Sequence, residues 1–273
     1  MRELIHAWVD DAGHGLPGFG IAHVAPDLDD RVIRMLCDRS GLQMTSPHAP
    51  TSHIAHRILQ VQSEWCSVLT RIDPMPPEKG LPRRLARHLV IRPDERPDVG
   101  PVAMLGSSWF CDNQIRPIPT EFHPSPSQSI FELDQDWHHL LQRRIESGAA
   151  ATLLVGSSND MEPALRAIEE CTHAESSWAM TFVTGDSPHR DGAIFHITHE
   201  KESTEGAGVL LDLRTSPSSD DADPKHDEQF AGHDAPPQIY MDGSDASTKI
   251  WILWAIGIAA AIILLFWSLR SAS

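Results

Sequence analysis

The strongest constraint on this chain lies at its end. From Ile250 to Leu269 there is no charged residue, and Lys249 and Arg270 bracket the run. A helix of about twenty residues, rising ~1.5 Å per residue, spans roughly the 30 Å hydrocarbon thickness of a bilayer. The run is apolar on every side, unlike a helix that lies on a soluble core. Trp251, Trp254 and Trp267 fall near its two ends, where indoles favour the headgroup zone. Residues 249–270 are therefore expected to form one transmembrane helix containing Ile250, Trp251, Trp254, Gly257, Ala261, Trp267 and Leu269, with the lipid bilayer as first partner. Gly257 and Ala261 form a small-xxx-small pair, which offers a weak site for helix–helix dimerisation.

Orientation follows from what flanks the helix. The opening MRELIHAWVDDAGHG has no apolar run of signal-peptide length, and acidic residues occur by Asp10. The expectation is a single-pass protein of a bacterial inner membrane, its N-terminal part cytoplasmic and Ser273 across the bilayer. Lys249 and Arg270 balance, so the positive-inside rule adds little.

Before the tail, residues 215–248 are rich in Asp, Ser, Pro and Gly and poor in large apolar residues. Such a segment cannot bury enough to offset the entropy of ordering and reads as a disordered acidic linker. The chain's net charge of -16 argues against a nucleic-acid partner, which requires a basic surface. Cys37, Cys66, Cys111 and Cys171 are widely spaced with no C-x-x-C, consistent with reduced thiols.

Residues 1–214 read as one domain in two halves, 1–130 and 131–214. Alternation and turn residues predict a hairpin of Glu3–Asp10 with Phe19–Val24. A helix follows, capped by Asp27 or Asp29, with Leu28, Val32, Met35 and Leu36 on one face. HRILQVQSEWCSVLTRI predicts two strands turning near Ser63–Glu64, then PMPPEKG a loop. LPRRLARHLVIRPDE begins with helical spacing and ends as a strand at Leu89–Ile91. Proline-rich 92–130 reads as an extended connection with a short element at VAMLGSSWF. The second half predicts a helix with Trp137, Leu140, Leu141 and Ile145 inward, a buried strand at AAATLLVG, and a helix capped by Asn159 or Asp160. Strands at SWAMTFVT, GAIFHITHE and GVLLDLRT complete it. The expected class is α+β or α/β: mixed sheets flanked by helices, then the disordered acidic linker and one transmembrane helix.

Chemistry-bearing motifs are sparse. The 16 histidines include His53/His56, His138/His139 and His196/His199. None forms H-E-x-x-H or a carboxylate–histidine set, so no metal or other cofactor is expected. There is no G-x-S-x-G elbow and no phosphate-binding P-loop. Gly106-Ser107-Ser108 and Gly156-Ser157-Ser158-Asn159 are weak hints of anion-binding turns. The densest polar feature is Arg83, Arg84, Arg87 and His88. On a helix, its three arginines share one side and could meet a phosphate, an acidic partner or the chain's own carboxylates.

Several segments in order resemble the N-terminal domain, type 2, of bacterial GTPase-associated proteins. HAWVDDAGHGLPGFGIAHVAPDL is similar to that family's first hairpin. VLTRIDPMPPEKGLPRRLARHLVIRPDE is similar to its L-x-R-I segment and following N-K-L-A-H-H-L-V, with Leu85, Ala86, His88, Leu89 and Val90 matching. SSWAMTFVTGD resembles its W-x-V-T-F-S-T strand through Trp178, Thr181, Phe182 and Thr184. This chain has Arg83-Arg84 where the family has N-K, and Arg87 in place of its first histidine. The resemblance implies a non-catalytic interaction module in a GTPase-centred conflict or signalling system, with a GTPase or associated component as partner. The rival expectation is a membrane-anchored hydrolase using His88 and its arginines or the Gly156–Asn159 turn. A third is a sensor signalling through pairing at Gly257 and Ala261.

Overall fold

Strand alternation organises the fold in the computed structural model, which describes residues 1–10, 12, 18–40, 52–61, 63–78, 81–119, 131–172, 174–185, 193–199 and 209–216. All fall in the first of the two units into which the chain divides, Met1–Pro236; the second, Pro237–Ser273, lies outside the described residues. The linker 217–248 and the tail 249–270 lie outside them too. Among the described residues no helix is long and apolar enough to cross a membrane.

The strands are β1 (Arg2–Val9), β2 (Gly18–Val24), β3 (His53–Val61), β4 (Glu64–Glu78), β5 (Leu81–Ile91), β6 (Ala151–Leu154), β7 (Phe182–Thr184), β8 (Phe195–Thr198) and β9 (Val209–Asp212). They form one mixed sheet in the order β2-β1-β5-β4-β3-β7-β8-β6-β9. From β2 through β3 to β7 the pairing is antiparallel; β7, β8, β6 and β9 are parallel. The helices are α1 (Asp30–Ser40), α2 (Pro101–Leu105), α3 (Ser108–Cys111), α4 (Gln135–Ser147), α5 (Met161–Cys171) and α6 (Ala174–Ser177). The fold is thus α+β, a large mixed sheet with a few helices.

Each side of the sheet has its own cover. Ile5, Ile54, Leu69, Leu85, Leu89, Phe182, Phe195, Leu153 and Leu211 face a single core with Trp109 and Phe110 of α3, Trp137 and Leu141 of α4, and Leu165 and Ile168 of α5. Each such side chain contributes about 1.5–3 kcal/mol by leaving water. On the other side α1 reaches the sheet through Ser40, which bonds His88.

The helix ends follow from local chemistry. Asp29 caps α1, its Oδ1 accepting from the amides of Arg31 and Val32 at 2.9 Å each. Val32 and Leu36 are buried as expected. Asp134 caps α4, and Gly148 ends it at φ 67°, where a Cβ would be strained. The first hairpin forms, with Trp8 opposite Phe19. The second turns at Ser63, φ 75°.

Three expectations fail. PRRLARHLVI is not helical at its start: Leu81–Ile91 is a strand throughout, held between β1 and β4. A central strand is apolar on both faces, here Leu85 and Leu89 against Ala86 and Val90, and that doublet pattern imitates helical spacing. PMPPEKG is not all loop, since β4 continues to Glu78, with an irregular register between Met75 and Glu78 where the prolines supply no amide. The strand expected across SWAMTFVT shrinks to Phe182–Thr184, its first part taken by α6 and a turn.

Candidate functional site

The strand at Leu81–Ile91 dissolves the expected arginine cluster. Successive side chains of a strand point to opposite faces. Arg87 therefore lies with Leu85 and Leu89 on the helix-covered face, and Arg84 and His88 lie with Ala86 and Val90 on the other. Arg83 shares Arg87's side but sits near the strand's start, half-buried and opposite Met75.

Arg87 is fully buried. Its guanidinium donates to the carbonyl of Phe110 at 3.3 Å and of Gln114 at 2.7 Å, and lies 5.7 Å from the centre of the Trp109 ring. Burial lowers its pKa, with Asp73 and Asp112 opposing that shift. The residue clamps α3 and its exit loop onto the sheet by satisfying carbonyls that the short helix leaves open.

His88 is also fully buried. Its Nε2 lies 2.6 Å from Ser40 Oγ, and its Nδ1 2.9 Å from Thr70 Oγ1. Ser40's hydroxyl donates to the carbonyl of Leu36 at 2.9 Å. A serine has one proton to give, so Nε2–H donates to Ser40 and Nδ1 accepts from Thr70. A serine nucleophile needs the reverse polarity, with an unprotonated imidazole nitrogen facing the hydroxyl and a carboxylate behind the ring. Burial is the main force that pushes His88 down to about 3, and the neighbouring basic side chains of His6, Arg57, Arg39 and His53 add to it. The imidazole is thereby held neutral near pH 7, and its lowered basicity makes it a weak proton acceptor.

The other candidates divide likewise. His53 and His56 occupy opposite faces of β3: Nδ1 of His53 donates to the Thr184 carbonyl, and Nδ1 of His56 to that of Met180 at 2.7 Å. Burial lowers them to about 3 and about 4. His138 is half-buried and His139 exposed on α4, while His199 follows the end of β8. At Gly156–Asn159 the turn is filled from within, Ser157 donating to Asp160 Oδ2 at 2.8 Å, so a carboxylate stands where an anion would bind. Gly106-Ser107-Ser108 joins α2 to α3. Among the described residues no group of His, Cys, Asp and Glu could hold a metal ion, and the four cysteines are free thiols.

Two buried polar arrangements escaped the sequence reading. Arg71 joins Asp73 at 3.0 Å, Glu162 of α5 at 3.0 Å and the Leu105 carbonyl at 3.2 Å. Glu169 of α5 accepts from the amides of Val102 and Ala103 at 2.7 and 2.9 Å, so that it caps α2 from a distance. Burial raises its pKa to about 7 against the pull of those two bonds. Gly100 leaves space for this carboxylate, since a Cβ on it would lie 2.3 Å from Glu169 Oε1 and the Glu169 side chain would have to shift. The signal in sequence was a lone Glu on an amphipathic helix, which specifies no partner.

The anchor residues Ile250, Trp251, Trp254, Gly257, Ala261, Trp267 and Leu269 lie outside the described residues. Comparison with protein-family models, with curated proteins and with solved structures finds no match to this chain.

Proposed function

We propose that the chain is a non-catalytic interaction module, tethered through residues 249–270 to the cytoplasmic face of a bacterial inner membrane, whose partner is a GTPase or a component associated with one. The observation that carries this reading is the commitment of His88 and Arg87 to the fold. The two residues best suited to chemistry direct both His88 ring nitrogens and both terminal Arg87 nitrogens to Ser40, Thr70, Phe110 and Gln114. The order of segments resembling GTPase-associated proteins supports the partner class, and the uncharged run Ile250–Leu269 supports the tether. A tether holds the domain in a thin layer beside the bilayer and so raises its effective concentration for partners there.

Two measurements test the proposal. Fractionation should place the full chain with membranes, and a chain ending at 248 should be released. Affinity capture of the full chain from detergent-solubilised native membranes should recover a GTPase. Capture without any GTPase overturns the partner, and an unreleased truncation overturns the tether.

A further inference from the structure

The loop that leaves α3 is exposed along most of its length, yet four bonds fix residues 112–118. The Gln114 carbonyl accepts from the buried Arg87 guanidinium at 2.7 Å, and the Arg116 carbonyl accepts from Trp109 Nε1 at 3.1 Å. Asp112 braces the same two residues from outside. Its Oδ1 accepts from the Gln114 amide at 3.0 Å, and its Oδ2 pairs with the Arg116 guanidinium at 2.6 Å. Ile118 then packs against the main core.

Ile115 stands between these two doubly held neighbours. It is 49% exposed, the most exposed large apolar side chain among the described residues. A single surface isoleucine is ordinary. What calls for a cause is the hold on both its neighbours through Arg87 and Trp109, each of which lies in the interior. A side chain presented on backbone that is already fixed loses little further freedom when it docks, so more of the contact energy remains as affinity. Loops held on a rigid scaffold in this way commonly carry binding residues.

The rim around Ile115 selects the class of partner. Asp112 and Arg116 neutralise each other, and Asn113 and Gln114 are exposed, uncharged amides. The loop therefore offers no unpaired cation to a phosphate or an anionic headgroup, and one isoleucine is too little apolar surface to hold a bilayer. An apolar tip inside an uncharged polar rim is the make-up of a contact between proteins.

We propose that residues 112–118 form a preformed docking knob, whose Ile115 enters an apolar pocket rimmed by uncharged hydrogen-bonding groups on the GTPase or its associated component. The knob deepens the partner reading given above and rests on it. Access is no obstacle, because the tip is already in solvent.

The test uses affinity capture of the full chain from detergent-solubilised native membranes, with the amount of GTPase recovered as the readout. Ile115→Asp places a charge in the pocket and should lower recovery about tenfold or more. Its melting temperature should match wild type, since the side chain is exposed. Ile21→Thr, at the other exposed isoleucine, should leave recovery unchanged. A photoreactive benzoylphenylalanine at position 115 should crosslink to the GTPase or to a component captured with it, and one at His139, exposed on α4, should not. If wild type recovers a GTPase and Ile115→Asp recovers as much, the knob falls and the partner class stands. If wild type recovers none, the partner class falls and the knob with it. A crosslink from position 115 to lipid or to a second copy of the chain also overturns the knob.

Discussion

Ser40 accepts, rather than donates, in its 2.6 Å hydrogen bond with His88, because its own proton goes to the carbonyl of Leu36. The bond ties the last turn of α1 to the central strand β5 through a wholly buried pair. Ser40→Ala removes the acceptor and strands Nε2–H in the interior. An unsatisfied buried donor costs about 1–3 kcal/mol. In a domain of this size that lowers the melting temperature by several degrees, at roughly 2–4 °C per kcal/mol. Calorimetry or thermal circular dichroism reads it, and an unchanged midpoint would show that the polarity of the bond is misassigned.

Arg84 and Arg87 are three residues apart and differ sharply in what they hold. Arg87→Met keeps the apolar stem and removes two carbonyl bonds and the contact with Trp109, leaving buried acceptors unmet; a loss of about 2–4 kcal/mol is expected. Arg84→Met removes a half-buried cation without a partner among the described residues and should change stability by no more than about 0.5 kcal/mol. Denaturant midpoints for the two variants check the contrast. Equal losses would contradict the placement of the two side chains on opposite faces.

Buried neutral histidines predict an acid limb to stability. His53, His56 and His88 are lowered to about 3, about 4 and about 3 from 6.5. For a base with a depressed folded pKa the stabilisation is complete above the unfolded value and is lost as pH falls below it, because only the unfolded chain takes up the proton. Stability should therefore fall as pH drops from 6.5 towards 4. Each histidine contributes up to about 1.4 kcal/mol per pH unit within that window. Urea titrations at several pH values measure it. Replacing His88 with Gln should flatten the limb, and a slope unaltered by that change would remove His88 from the account.

How much of this was legible beforehand depends on where the determining contact lies in sequence. Asp29 as a cap, Gly148 as a stop and the inward row of Trp137, Leu140, Leu141 and Ile145 are local devices, written within one or two turns. The turn at Ser63 is local as well. The strand at Leu81–Ile91 is decided by neighbours far along the chain, Arg2–Ala7 on one side and Ser67–Glu78 on the other. Flanked on both sides and apolar on both faces, it lost the alternation that marks a half-exposed strand. The resulting error turned Arg83, Arg84, Arg87 and His88 into a cluster. The true partners of Arg87 and His88 stand 23 and 48 positions away, at Phe110 and Ser40. No spacing rule reaches that far.

Glu169 supplies the last prediction. Its folded pKa of about 7 lies above its ordinary value of 4.5. For an acid shifted upward, stability is complete below the unfolded value and is lost as pH rises towards the folded one, because the unfolded chain gives up its proton first. The loss should run from about pH 4.5 to 7 and then level, amounting to at most about 3 kcal/mol. The histidines titrate in the same window with the opposite sign, so the wild-type curve alone does not isolate the effect. The difference between Glu169→Gln and wild type does, because the histidine contributions cancel. That difference should shift in favour of the Gln variant by a few kcal/mol as pH rises from 4.5 to 7 and stay constant above. Gly100→Ala places a Cβ where Glu169 Oε1 now lies and should cost about 1–3 kcal/mol. Its cost should shrink in a Glu169→Ala background, the coupling expected of residues in direct contact. A pH-independent difference would show that Glu169 keeps an ordinary pKa in its place beneath α2.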